Sequence, residues 1–219
     1  MKKKKPSWIC PIIAMVIFIA CTLWIKMFDV KPIGPNGSSV GCASLNLMLL
    51  HGYNKFWYSL TEFIGYISIV IMLAMACLGL VQLVKGKSFK AVNPALYVLA
   101  GFYAVMVFFY VLFEVVVINC RPILESDGRL EASYPSSHTM LSLCVLISLI
   151  YQLKYIIKKK SLQQYASIAL VVLSLLAVVG RFLCGVHWFT DILGGVILSF
   201  ALLLFYDAAI KVVETKFTE

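Results

Sequence analysis

Apolar residues along the chain gather in six long runs separated by short polar stretches. They read as about Trp8 to Ile25, Phe56 to Val84, Pro94 to Ile118, Thr139 to Ile157, Leu162 to Val179 and Trp188 to Ala209. Charge interrupts them rarely: Glu62 stands near the start of the second, Glu114 within the third and Lys154 near the end of the fourth. Runs of this length predict α-helices that cross a bilayer, the form in which each segment satisfies its own backbone polar groups. The fifth is short for a span unless it continues through Arg181. The expected fold is therefore all-α, a polytopic membrane bundle of six transmembrane helices forming one integral membrane domain over 1–219. Between the first two runs, Pro32, Gly34, Pro35, Gly37, Ser38 and Ser39 predict turns. Leu45 to Leu50 is a short apolar piece that suits a helix lying along the interface. The first run also has the basic start and apolar centre of a signal peptide, and Ile19-Ala20-Cys21 resembles part of a lipoprotein cleavage site. Apolar residues continue to Ile25 and no small-residue site closes the run, so an uncleaved helix is expected.

Composition excludes the soluble alternative. Hydrophobic residues make up 62% of the 219 and charged ones 13%, against about 45–50% and about 25% in soluble domains. No core of this size hides that much apolar surface. A net charge of +9 raises nucleic acid as a partner. The basic residues instead sit in short runs between apolar stretches, which is the pattern of membrane topology, and no nucleic-acid partner is expected. With the amino terminus in the cytoplasm, thirteen Lys and Arg fall inside: Lys2 to Lys5, Lys85, Lys87, Lys90, Lys154, Lys158 to Lys160, Lys211 and Lys216. Six fall outside: Lys26, Lys31, Lys55, Arg121, Arg129 and Arg181. This predicts a multi-pass protein of the cell membrane with both termini cytoplasmic. The seven cysteines are scattered and imply neither a disulfide framework nor a zinc site, although one bridge among Cys42, Cys120 and Cys184 stays open.

The candidate chemistry lies on the expected outer face, in three patches. Arg121-Pro122 follows the third run, Tyr134-Pro135-Ser136-Ser137-His138-Thr139 opens the fourth, and Arg181 to Asp191 joins the fifth to the sixth. Singly, these read as a headgroup-facing arginine, a helix cap and a surface helical pair. Together they are ionisable residues gathered at a membrane, where charge is costly and marks function. Two guanidiniums suit a tetrahedral oxyanion, since each can donate paired hydrogen bonds. Ser136 and Ser137 sit at a helix start, where free N–H groups favour phosphate. Asp191, one helical turn beyond His187, can hold one ring nitrogen and leave the other to attack. His138 is placed to protonate a leaving oxygen. Two histidines and an aspartate could also hold zinc, but two fixed positive charges beside a dication argue against a metal, and no cofactor is expected.

These residues resemble the type 2 phosphatidic acid phosphatase family, within the vanadium haloperoxidase and acid phosphatase superfamily. That family carries Lys-x6-Arg-Pro, Pro-Ser-Gly-His and Ser-Arg-x5-His-x3-Asp. This chain has Glu114 to Pro122, then Pro135-Ser136-Ser137-His138, then Gly180-Arg181 with His187 and Asp191 at the family's spacing. The resemblance covers about residues 56–210, the expected phosphatase core, with the site at the outer ends of spans three to six. It implies metal-independent hydrolysis of a lipid phosphate monoester or diphosphate, phosphatidic acid-like or undecaprenyl diphosphate-like. It also implies roles: Arg121, Arg181 and Ser136 bind phosphate, His187 forms a phosphohistidine, Asp191 orients it, and His138 is the general acid.

Three positions depart from the pattern. Ser137 stands for the family's glycine and Gly180 for its serine, while Glu114 stands for a phosphate-binding lysine. Seven residues are nearly two helical turns, so Glu114 shares a face with Arg121 and reverses the charge there. It is expected to turn away and brace Arg129 or an outer lysine, or to meet a polar acceptor or headgroup. Transfer of a phosphate-containing headgroup to an acceptor therefore stays open, as does a non-catalytic membrane protein of the same fold. Glu125, Asp127, Arg129 and Glu131 are candidates for headgroup selection or for solvated loop charge. The partners expected are a lipid phosphate and the membrane lipids; the sequence leaves the oligomeric state open.

Overall fold

The computed structural model describes residues 7–124 and 127–216. Lys2 to Lys5 and Glu125 lie outside these. Seven α-helices follow one another: α1 (Ile9–Met27), α2 (Ala43–Met48), α3 (Lys55–Gly86), α4 (Pro94–Val115), α5 (Ser137–Ile156), α6 (Lys160–Leu183) and α7 (Phe189–Lys216). All but α2 are long and apolar enough to span a membrane. Among the described residues there is no strand, only the isolated bridges Lys31–Val40 and Cys120–Ala132. The fifth apolar run does continue through Arg181, because α6 ends only at Leu183.

Local sequence sets several of these boundaries. Asn54 caps α3, its side chain accepting from Trp57 N–H at 3.2 Å. Asn93 accepts from Ala95 N–H at 2.9 Å ahead of Pro94, a residue preset for the first helical position. Ser136 caps α5 through Thr139 N–H.

Helix α5 is central and packs against α3, α4, α6 and α7. It is also the least apolar span on its lipid-scale average, and its polar residues explain why. Ser148 meets Tyr103 Oη at 3.2 Å, and Gln152 Nε2 donates to Tyr206 Oη at 2.6 Å and to Ala95 O at 3.3 Å. Inside lipid such groups must find protein partners. The apolar core around them joins Leu96, Leu99 and Phe102 of α4, Cys144 and Val145 of α5 and Leu198 and Leu202 of α7.

The alternation of spans brings the ends of α1, α4 and α6 together with the starts of α3, α5 and α7. The three sequence patches stand at that end. Lys85, Lys87, Lys90, Lys154, Lys158 to Lys160 and Lys211 stand at the other. Helix α2, expected along the interface, turns Ala43 and Asn46 inward, and Asn46 bonds to the first turn of α7. All seven cysteines are free thiols, so the bridge left open among Cys42, Cys120 and Cys184 does not form.

Candidate active site

Asp191 is fully buried in the first turn of α7 and is fixed from three sides. Its Oδ2 accepts from Trp188 N–H at 3.0 Å, its Oδ1 from Asn119 Nδ2 at 3.0 Å, and its carbonyl from Ser136 N–H at 2.9 Å. Two N–H donors, one on each oxygen, thus hold the carboxylate in place. His187 precedes α7 rather than lying on it, so the pair is made by the His187-Trp188 turn and not by helical periodicity. Its Nδ1 stands 3.7 Å from Asp191 Oδ2, with both side chains buried. Burial is the main force holding the His187 pKa below the ordinary imidazole value; Asp191 opposes it, and Arg181 and Arg121 reinforce it.

Trp188 ties this turn to the next loop, its Nε1 donating to Cys120 O at 2.7 Å. Arg121 follows in a ladder that draws the α4–α5 loop closed: Arg121 N–H donates to Glu131 O at 3.0 Å and Ser133 N–H to Asn119 O at 2.9 Å. The mostly buried Arg121 guanidinium has its Nε 3.1 Å from Glu131 Oε2. Glu131 is thus a partner of Arg121, while Asp127 holds Arg129 at 2.6 Å. The bracing of Arg129 expected of Glu114 is therefore supplied by its loop neighbour. Glu114 is exposed and lines a narrow cleft with Tyr110, Pro135 and Ser137.

Arg181 is fully buried in the last turn of α6, where a cation complements the helix dipole. Successive turns of α3 receive it. Thr61 Oγ1 accepts at 3.2 Å, Glu62 Oε1 accepts at 2.9 Å, and the Tyr58 ring lies 5.4 Å from the guanidinium carbon. These positions share one helix face. The same Glu62 Oε1 lies 2.9 Å from His138 Nε2. Glu62 is absent from the sequence candidates because it reads as a charge near a helix start; its one-turn spacing from Tyr58 is the signal the sequence holds.

The departure at Gly180 has a steric cause. A Cβ there would lie 2.6 Å from Thr61 Cγ2 and 3.2 Å from the Trp57 ring, because α3 and α6 approach closely where Arg181 crosses between them. Asn46, Asn119 and Thr190, also absent from the sequence candidates, form a buried network behind Asp191: Asn46 Nδ2 donates to Thr190 Oγ1 at 2.9 Å and Asn119 Oδ1 accepts from Gly41 N–H at 3.1 Å.

The two histidines and two arginines thus converge from α5, α6, the α4–α5 loop and the α6–α7 turn. Ser136 is buried beside Asp191, and Ser137 stands with His138 on the wall of a groove of about 320 Å³. Ile69 and Met72 of α3, Met106, Val107 and Tyr110 of α4, and Leu141 of α5 complete the groove. A second groove of about 350 Å³ continues from Met72 between α3 and α4. Among the described residues, His187 Nε2, His138 Nδ1 and Arg181 Nε are buried without a hydrogen-bond partner. Buried polar atoms are normally paired, so these nitrogens mark a candidate ligand-binding centre.

An all-helical membrane bundle with a two-arginine, two-histidine centre at one end is the class these features define. A family model for the PAP2 superfamily matches residues 95–211, and the chain belongs to that superfamily. Its fold is similar to the crystal structure of the first transmembrane PAP2 type phosphatidylglycerolphosphate phosphatase from Bacillus subtilis, with a TM-score of 0.60 and 16% identity over 90% of this chain and 94% of that one. No curated protein sequence matches.

Proposed function

We propose that the chain hydrolyses a lipid phosphate monoester or diphosphate, without a metal, through a phosphohistidine. The observation that carries this reading is the set of buried, unpartnered nitrogens of His187, His138 and Arg181 around one centre. Membership of the PAP2 superfamily and the fold shared with a phosphatidylglycerolphosphate phosphatase support a lipid phosphate as substrate. Arg121 and Arg181 hold the phosphate oxygens, with Ser136 and Ser137 at the start of α5. Neutral His187, its Nδ1 toward Asp191, attacks phosphorus through Nε2. As the P–N bond forms, the P–O bond to the lipid breaks, and the leaving oxygen takes a proton from His138. Water then gives a proton to His138, its oxygen bonds to phosphorus, and the P–N bond breaks to free inorganic phosphate. The apolar groove ending at His138 accommodates the lipid chain.

The lysine-rich end opposite the site supports an outward-facing centre with both termini in the cytoplasm. Phosphatidic acid-like and undecaprenyl diphosphate-like lipids both present a phosphate there. Purified protein is expected to release phosphate from a lipid phosphate in EDTA and to trap label on histidine. Hydrolysis that survives His187→Ala would overturn the mechanism.

One observation favours a second reading, transfer of a phosphate-bearing headgroup to an acceptor. Arg121 pairs with Glu131, Arg181 pairs with Glu62, and Glu114 replaces the lysine, a charge balance less suited to a dianion. Movement of labelled headgroup between lipids without free phosphate would establish it.

A further inference from the structure

We propose that Glu62 is the positioning residue of the general acid, completing a second carboxylate–imidazole pair opposite Asp191 and His187. The inference rests on the phosphatase reading above and deepens it. Glu62 Oε1 lies 2.9 Å from His138 Nε2, while His138 Nδ1 is buried and has no partner among the described residues. A carboxylate on one ring nitrogen fixes the orientation of the ring and favours a proton on it. Nδ1 is then the atom left to face the substrate. The arrangement parallels that of His187, whose Nδ1 faces Asp191 and whose Nε2 is buried without a partner.

Helix α3 is shaped for this contact. Gly65, one turn beyond Glu62, lies against the imidazole, where a Cβ would stand 3.2 Å from His138 Cδ2. A side chain there would press on the ring beside its contact with the carboxylate. His138 borders the groove proposed for the lipid chain, and the side chains of the pair are 26% exposed for His138 and 23% for Glu62. Acid and leaving oxygen therefore meet where the lipid joins the phosphate. The other charged groups facing His138 are Arg181 from α6 and Arg121 from the α4–α5 loop.

The proton inventory closes. Imidazolium His138 donates its Nε2 proton to the Glu62 carboxylate as a hydrogen bond and keeps it throughout. Its Nδ1 proton passes to the lipid oxygen as the P–O bond breaks and its electron pair moves to that oxygen. In the second half-reaction a proton from water returns to Nδ1 while the water oxygen bonds to phosphorus and the P–N bond breaks.

The test is leaving-group dependence, with full-length protein in detergent acting on dodecyl phosphate and on p-nitrophenyl phosphate. Dodecyl alkoxide needs a proton to depart, whereas p-nitrophenolate leaves as a stable anion. Glu62→Gln is expected to lower the alkyl-to-aryl ratio of kcat by about 10²-fold, the usual size of a general-acid contribution. His138→Ala is expected to give a similar ratio, the double variant no further loss, and Glu62→Asp a ratio near that of the wild type. A ratio unchanged in Glu62→Gln, whether both esters are slowed equally or neither is, would overturn the role of Glu62 alone. A wild type inert toward both esters would overturn the phosphatase reading, and this role with it.

Discussion

Asn119 Nδ2 donates to Asp191 Oδ1 at 3.0 Å, joining the α4–α5 loop to the first turn of α7. The bond crosses 72 residues of chain and is buried at both ends. It aims the carboxylate that faces His187, so Asn119→Ala should loosen the nucleophile without touching phosphate. Leaving a buried acceptor unsatisfied costs about 1–3 kcal/mol. The expected outcome is a lower melting temperature in detergent and a kcat reduced about tenfold or more, with KM little changed. Asn119→Asp, which sets a second carboxylate against Asp191, should be worse on both counts.

Restoring the family's serine at position 180 should destabilise this chain. The added Cβ meets Thr61 Cγ2 at 2.6 Å, and overpacking of this kind costs about 1–3 kcal/mol. Thr61→Ser deletes that methyl but keeps the hydroxyl that accepts from Arg181. Gly180→Ser should therefore lower the melting temperature, and Gly180→Ser with Thr61→Ser should recover part of the loss. Additive losses in the double variant would place the strain elsewhere, at the Trp57 ring.

Burial holds His187 neutral below the pH at which a free imidazole protonates. An unfolded His187 takes up a proton near pH 6.5, an ordinary value. Below that pH the unfolded chain carries more protons than the folded one, so stability falls as pH falls. Melting temperatures measured from pH 8 down to pH 5 should drop on the acid side, and His187→Asn should drop less. An identical acid-side decline in the two proteins would place its origin in other groups.

The parts of this architecture that were legible in the sequence are those that break an apolar background. Arg121, His138, Arg181, His187 and Asp191 stand out because charge is scarce in the chain, and the helices that carry them were readable from run length. Asn119 and Asn46 were not legible, since neutral amides near helix ends do not disturb a hydropathy pattern; only the fold reveals that both serve the first turn of α7. Glu62 was visible yet unassigned, because its partners lie 76 and 119 residues away on other helices. The fifth span ran longer than its apolar run because Arg181 is neutralised by α3, so a charged residue could stay inside a helix that hydropathy alone would have ended.

Glu114 remains the position where charge and chemistry pull apart, and reversing it separates the two proposed reactions. It is exposed on the last turn of α4, across a narrow cleft from Ser137. A lysine there would add a cation beside the start of α5, where Ser136 and Ser137 are proposed to meet the phosphate. Partly exposed charge interactions are worth about 0.2–1 kcal/mol each, and a reversal counts twice. Glu114→Lys should therefore lower KM for a lipid diphosphate by roughly two- to thirtyfold, with a smaller effect on a monoester. Measuring free phosphate and labelled headgroup transfer in the same reaction then reads the partition. If the natural reaction is hydrolysis, the variant should release phosphate with a lower KM and still transfer nothing. If it is transfer, a diester substrate with a single negative charge should gain less from the added lysine, and any water attack on the intermediate should release the headgroup monophosphate rather than inorganic phosphate.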